Sequence, residues 1–207
     1  MSDQLQRTSE IIASASGPAD LRRRLGAWAI EAADAAGPEA QDRWRAIVAS
    51  RLPSQDWPDQ RVLLTVVDAD TGEPGVLDRA SGASLADAVA ASCSSGSAYR
   101  IGDRRFIDGG YRANADNPDV ATGYSRILVL SPFGGSSRWP VAWAQDLEAQ
   151  VARLRAEGSR VELVLSDAAV LGENAMDYSA RPSAARGGHA QGLDATDRVR
   201  ALWSVDA

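Results

Sequence analysis

Residues Ser84 to Pro132 read SLADAVAASC, SSGSAYRI, GDRRFIDGG, YRANADNPDVATG and YSRILVLSP. Taken in order, this stretch predicts a short apolar helix over Ser84–Cys93, with Ser84 as N-cap and Asp87 in the first turn. A Ser/Gly-rich passage follows, then a hairpin pairing Tyr99–Ile101 with Arg105–Ile107 around Gly102-Asp103. Asp108 ends the second strand and is followed by Gly109 and Gly110. Both glycines are free to take positive φ, and without a Cβ they allow another group to approach closely. Beyond a polar loop, Ile127–Leu130 is a continuous apolar run between turn residues, as expected of a buried parallel strand. Taken alone, Asp-Gly-Gly at a strand end is good turn chemistry, in which the carboxylate is presented by a sharply turning backbone that crowds nothing.

The stretch resembles the patatin-like phospholipase family. The resemblance is carried by Ala88–Cys93 (AVAASC), by the Gly102–Gly110 block (Gly-x-Arg-Arg-aromatic-x-Asp-Gly-Gly), and by the following Arg112. Asn117-x-Asp119-x-Ala121 and Leu130-Ser131-Pro132 complete it. It continues more thinly from about Leu21 to Trp203. The resemblance implies a three-layer α/β/α fold with a mostly parallel sheet. It also implies a Ser–Asp dyad that hydrolyses lipid acyl esters without a cofactor or metal. Asp108 matches the dyad carboxylate, and Gly109, Gly110, Arg112 and Asn117 are its supporting residues.

The departures are equally specific. No Gly-x-Ser-x-Gly elbow and no run of three glycines occurs in these 207 residues. The chain therefore resembles the C-terminal portion of such a hydrolase, carrying half of a catalytic pair and inactive alone. Ser92, Ser94, Ser95 and Ser97 lie close in sequence to Asp108, but none sits in a strand–turn–helix elbow flanked by glycines, so they read as loop formers. The alternative is a non-catalytic α/β binding or assembly module, with self-association through an exposed sheet edge.

Composition narrows the classes. At 207 residues and 44% hydrophobic, the chain is long enough for one α/β domain over residues 1–207. A net charge of −6 disfavours nucleic acid and anionic membrane surfaces. The polar N-terminus and the lack of a long apolar run predict a cytoplasmic chain without a transmembrane segment. Its substrate partner would be a lipid or small ester, once an N-terminal portion completes the site.

The single cysteine, Cys93, reads as a small buried thiol, and the single histidine, His189, as a surface or capping residue at a loop–helix junction.

Working outward, Gln4–Ser16, Pro18–Ala36 and Pro38–Arg51 read as helices. Leu21, Leu25, Trp28, Ala29 and Ala32 share a face of the second, and Arg22–Arg24 form a solvated face. Trp44, Ile47 and Val48 anchor the third. Arg61–Val67 is a buried strand, and Asp68–Gly75 a turn leading to Val76–Arg79. Pro140–Glu157 is expected as an amphipathic helix between strands Ile127–Leu130 and Val161–Leu165, completing a βαβ unit. Trp139 and Trp143 pack partly against the sheet. Gly172–Gly188 reads as loop with a short helical turn, and a final helix to Trp203 is expected to bury Leu193, Val199, Leu202 and Trp203.

Overall fold

The computed structural model describes residues 2–166 and 178–204. The chain divides into two compact units, Met1–Asn117 and Pro118–Ala207. Together they mix helices with both antiparallel and parallel strands, an α/β composition.

The first unit opens with three helices: α1 (Ser2–Ser14), α2 (Pro18–Ala36) and α3 (Pro38–Arg51). Proline in the first turn starts both α2 and α3, where its missing N–H costs nothing. Gly37 divides them at φ 74°, a left-handed conformation that stops one helix and launches the next. Strands β1 (Leu64–Asp68), β2 (Pro74–Leu77), β3 (Tyr99–Ile101) and β4 (Arg104–Asp108) form one sheet in the order β2-β1-β4-β3. Helix α4 (Leu85–Ser92) lies between β2 and β3 in sequence. Ser84 caps it by accepting from the Asp87 N–H.

Every pairing in this sheet is antiparallel. Among the described residues, parallel pairing is confined to two strands of the second unit, so the mostly parallel sheet implied by the family resemblance is not what these residues form. The apolar run of β1 is buried on both faces, as expected. Val66, Phe106 and Tyr99 form one core with Val48 of α3 and Ala88, Ala90 and Ala91 of α4. The opposite row, Val67 and Ile107, is fully buried as well. A strand covered on both faces is apolar throughout, whichever way its neighbours run.

Two polar ties brace this unit. Asp87 accepts from Tyr99 Oη at 2.7 Å and from Arg45 Nε at 2.8 Å, joining α4, β3 and α3. Burial, then the bond to Asp87, raises the Tyr99 phenol far above its ordinary value, so it stays a donor. Arg22 is not part of a solvated face as expected. It is half-buried, and its guanidinium donates to the carbonyls of Gly72 at 2.7 Å and Arg112 at 3.3 Å. Of the other α3 anchors, Val48 is buried but Ile47 is exposed.

In the second unit, β5 (Arg126–Ser131) pairs in parallel with β6 (Arg160–Leu165), from Arg126 opposite Arg160 to Ser131 opposite Leu165. The intervening helix α5 is Leu147–Ala156, shorter than expected. Pro140–Ala144 forms a 3₁₀ turn ending with Ala144 in the left-handed region, and Asp146 then caps the helix by accepting from the Ala149 N–H. Leu147, Val151 and Leu154 pack on Ile127, Val129 and Val161, whereas Val141 falls outside the helix and is exposed. Trp139 is buried and meets Trp143 edge-on at 5.8 Å.

Of the expected loop Gly172–Gly188, residues 172–177 lie outside the described residues. The remainder is largely helical, in α6 (Arg181–Asp194), followed by α7 (Thr196–Trp203). The final helix is thus two. Leu202 is buried and Val199 half-buried, but Leu193 and Trp203 are exposed. Among the described residues, no helix is long and apolar enough to cross a membrane.

One glycine inside a helix gives a sharp test of this packing. A Cβ on Gly26 of α2 would stand 2.1 Å from the carbonyl oxygen of Ala69. In an ordinary helix interior, Gly→Ala stabilises by about 1 kcal/mol. Here the overlap reverses the sign, and Gly26→Ala should lower the unfolding free energy by about 2 kcal/mol in urea titration.

Candidate functional site

Asp108 is the last residue of β4, opposite Val66 of β1. Its backbone N–H donates to the Ser94 carbonyl at 3.0 Å, which holds the loop after α4 against the strand end. The chain then tightens into a 3₁₀ turn, Gly109–Tyr111, and Asp108 caps it: Oδ1 accepts from the Gly110 N–H at 2.7 Å. Asp108 Oδ2 has no hydrogen-bond partner among the described residues. Burial pushes the carboxyl above its ordinary value, against the opposing pull of the Gly110 N–H. A half-buried carboxylate with one oxygen fixed and the other uncommitted has the form of a general base.

The two glycines work differently from the freedom of φ expected of them. Neither adopts positive φ. Gly109 is needed because its Cα lies against β1: a Cβ there would stand 2.1 Å from the Thr65 carbonyl oxygen and 2.3 Å from its Oγ1. At Gly110 a Cβ would meet the Asp108 carboxylate at 3.0 Å. The positive φ values fall further on, at Asn114, Ala115 and Asn117, all non-glycine. Three such residues in a run of four make a strained loop, a feature that clusters at functional sites.

Asn117 is what fixes that loop. It is buried, and its Nδ2 donates to the carbonyls of Gly109 at 2.8 Å and Ala115 at 3.1 Å, with Thr65 Oγ1 at 3.4 Å. Arg112 takes part through its backbone, its carbonyl accepting from Arg22. Thr65 and Arg22 were not legible as site residues. Thr65 sits inside an apolar strand run, and Arg22 inside an arginine triplet whose other members, Arg23 and Arg24, pair with Asp20.

Of the four candidate serines, Ser92, Ser94 and Ser95 have hydrogen-bond partners other than Asp108, and Ser97 makes no hydrogen bond to Asp108 among the described residues. Ser92 Oγ donates to the Thr65 carbonyl, Ser94 Oγ to that of Ala90, and Ser95 Oγ accepts from Gln4. None of these hydroxyls bonds to Asp108. Cys93 is an exposed residue rather than the buried thiol expected. Its sulfur is nevertheless partly desolvated, and that desolvation first, then the Asp108 carboxylate, pushes the thiol up. Asp108 therefore lies close to a thiol but opposes its ionisation. His189 is exposed on α6 in the second unit.

A cleft of about 730 Å³ lies between the α2–α3 junction and the segment Cys93–Arg100, with Asp34, Gln41, Trp44 and Tyr99 on its walls. Cys93 borders it, and Asp108 does not line it. Among the described residues, no group of three or more His, Cys, Asp or Glu side chains is placed to hold a metal ion.

Two outcomes follow from the ionisation of Asp108. Its folded-state pKa lies above the ordinary 3.8, so the folded chain holds this proton more tightly than the unfolded one. That contribution to stability is full below the ordinary value, is lost as pH climbs through the folded value, and is absent at neutral pH. Asp108→Asn keeps the oxygen that accepts from Gly110 and removes the charge. The variant should melt higher than the parent at neutral pH, with the difference vanishing once the pH falls below 3.8. The second outcome concerns Cys93, which should react with a maleimide at pH 7 more slowly than free cysteine. Asp108→Asn should quicken that reaction, and an unchanged rate would separate the two side chains.

Comparison with protein-family models, with curated proteins and with solved structures finds no match.

Proposed function

We propose that this chain supplies the carboxylate half of a Ser–Asp ester hydrolase of the patatin-like type, acting on lipid acyl esters or smaller esters. The observation that carries the proposal is the state of Asp108: a carboxyl raised by burial, one oxygen held by the Gly110 N–H, the other uncommitted. In a Ser–Asp dyad the free oxygen takes the hydroxyl proton as the serine oxygen attacks the acyl carbon. The proton passes to the departing alcohol as the ester C–O bond breaks. Water then attacks the acyl-serine, again losing its proton to the carboxylate, which returns it to the serine oxygen as the acyl C–O bond breaks and the acid leaves. A carboxyl with a pKa above the usual range is the better acceptor for that proton.

The serine elbow and the oxyanion donors are not among these 207 residues, so the proposal assigns them to another polypeptide segment. A cytoplasmic location goes with it, in keeping with a chain of one cysteine. A second reading, a non-catalytic assembly module, is favoured by one observation: among the described residues, β5 is hydrogen-bonded to a neighbouring strand on one side only.

Hydrolysis of p-nitrophenyl butyrate tests the first reading. The chain alone should show no turnover and no labelling by a fluorophosphonate. Co-expressed with a segment bearing Gly-x-Ser-x-Gly, it should hydrolyse the ester, and Asp108→Asn should cut that rate by about 10⁴-fold. An assembled complex that is inactive, or one whose rate ignores Asp108→Asn, would overturn the proposal.

A further inference from the structure

The parallel pair in the second unit has two outer edges, and they are treated differently. The Arg160 N–H donates to the Ser125 carbonyl and the Ser166 N–H to that of Ser131. The odd-numbered residues of β5 therefore turn their backbone groups toward β6, and Arg126, Leu128 and Leu130 turn theirs away. On β6 the outward residues are Val161, Leu163 and Leu165. Side chains stop both ends of that edge: Arg155 Nη2 donates to the Val161 carbonyl at 2.8 Å, and Gln191 Nε2 to the Leu165 carbonyl at 2.9 Å.

Among the described residues, the β5 edge has no such stopper, and nothing hydrogen-bonds to the outward backbone groups of Leu128 or Leu130. Large apolar side chains stand exposed along the same strand and its flanks: Leu130 at 67%, with Tyr124 and Phe133 both at 49%. An unpaired strand edge carrying exposed leucine is the arrangement that natural sheets usually block with lysine, proline or a covering element.

We propose that this edge joins two copies of the chain, β5 against β5 in antiparallel register about a two-fold axis at Leu128. Strand parity restricts pairing to registers with even-numbered residues opposite one another, and of these only the one centred on Leu128 pairs all three outward residues among themselves. With Leu128 opposite Leu128 of the second copy, Arg126 falls opposite Leu130. Every outward N–H and C=O from Arg126 to Leu130 then meets an outward group of the other strand. Tyr124 of each copy comes opposite Pro132 of the other, and the ladder ends there because Pro132 has no N–H to give. Charge permits the same register. The two Arg126 side chains sit at opposite ends of the ladder, about 13 Å apart along the strand direction, beyond the screening length of about 8 Å at physiological salt. The four strands would then form one sheet, with the stoppered β6 strands as its outer edges, so the assembly closes at two copies.

A contact of one short strand and its flanks falls at the small end of protein interfaces, so the association should be in the micromolar range rather than obligate. The inference uses no residue of the Asp108 turn, and its failure would leave the hydrolase proposal untouched.

Sedimentation velocity of the intact chain from about 1 μM to several hundred μM, at about 0.15 M salt, provides the test. The weight-average mass should rise from monomer toward dimer and stop there. Leu130→Lys, at an exposed position, should weaken dimerisation at least 10-fold. Leu128→Pro should do the same, since it removes an N–H that points away from β6, with its melting temperature read alongside to confirm folding. Leu193→Lys, an equally exposed site on α6 (63%), should leave dimerisation unchanged. A monomer at every concentration, open-ended higher oligomers, or a dimer indifferent to Leu130→Lys would overturn the proposal. If Leu128→Pro does not fold, Leu130→Lys against Leu193→Lys decides alone.

Discussion

The first unit turns on the close approach of two backbones where β4 ends. Gly109 lies against the Thr65 carbonyl so closely that no side chain fits between them. The approach forces the chain off the sheet within one residue, and the resulting 3₁₀ turn brings the Gly110 N–H under the Asp108 carboxylate. Asn117 then ties the far end of the loop back to Gly109, so the turn is held from both ends. The residues supporting Asp108 thus act on the backbone around it, and the carboxylate itself makes a single protein hydrogen bond. That economy leaves an oxygen uncommitted.

How much of this could be read in the letters depends on whether the cause was local. Helix boundaries set by Pro18, Gly37 and Pro38, and the Ser84 cap, depend on backbone rules acting over a few residues, and they emerged near where expected. The hairpin of β3 and β4 likewise follows from Gly102, which takes positive φ at the turn. Strand direction was not legible. Val66 and Val67 are apolar because helices and core cover both faces, a condition that parallel and antiparallel strands meet equally. The break in Pro140–Glu157 was missed because Ala144 takes a left-handed conformation that alanine seldom adopts.

In the candidate site, Asp108, the glycine pair and Asn117 were visible as letters, but the contacts that explain them were not. Thr65 and Arg22 lie 43 and 86 residues from Asp108 in sequence, on β1 and α2, and each looks ordinary in its own segment. Their part depends on strand pairing between β1 and β4 and on the packing of α2, which no short window contains. Cys93 shows the same limit from the other side. An alanine-rich helix end suggested a buried thiol, yet the helix stops there and turns the residue outward.

The thiol also bears on what chemistry the carboxylate can serve. With Asp108 ionised, a thiolate at Cys93 would place a second anion beside it in a partly desolvated setting, and each charge would raise the pKa of the other group. A reactive cysteine needs the opposite surroundings, a cation or helix N-terminus that favours the thiolate. A hydroxyl nucleophile makes no such demand. It stays neutral in the ground state and sheds its proton only as it attacks, so an adjacent carboxylate with a raised pKa helps at the moment of bond formation and costs little before it. The electrostatics at the end of β4 therefore favour a carboxylate that accepts a proton from a neutral hydroxyl or water over one that supports a thiolate.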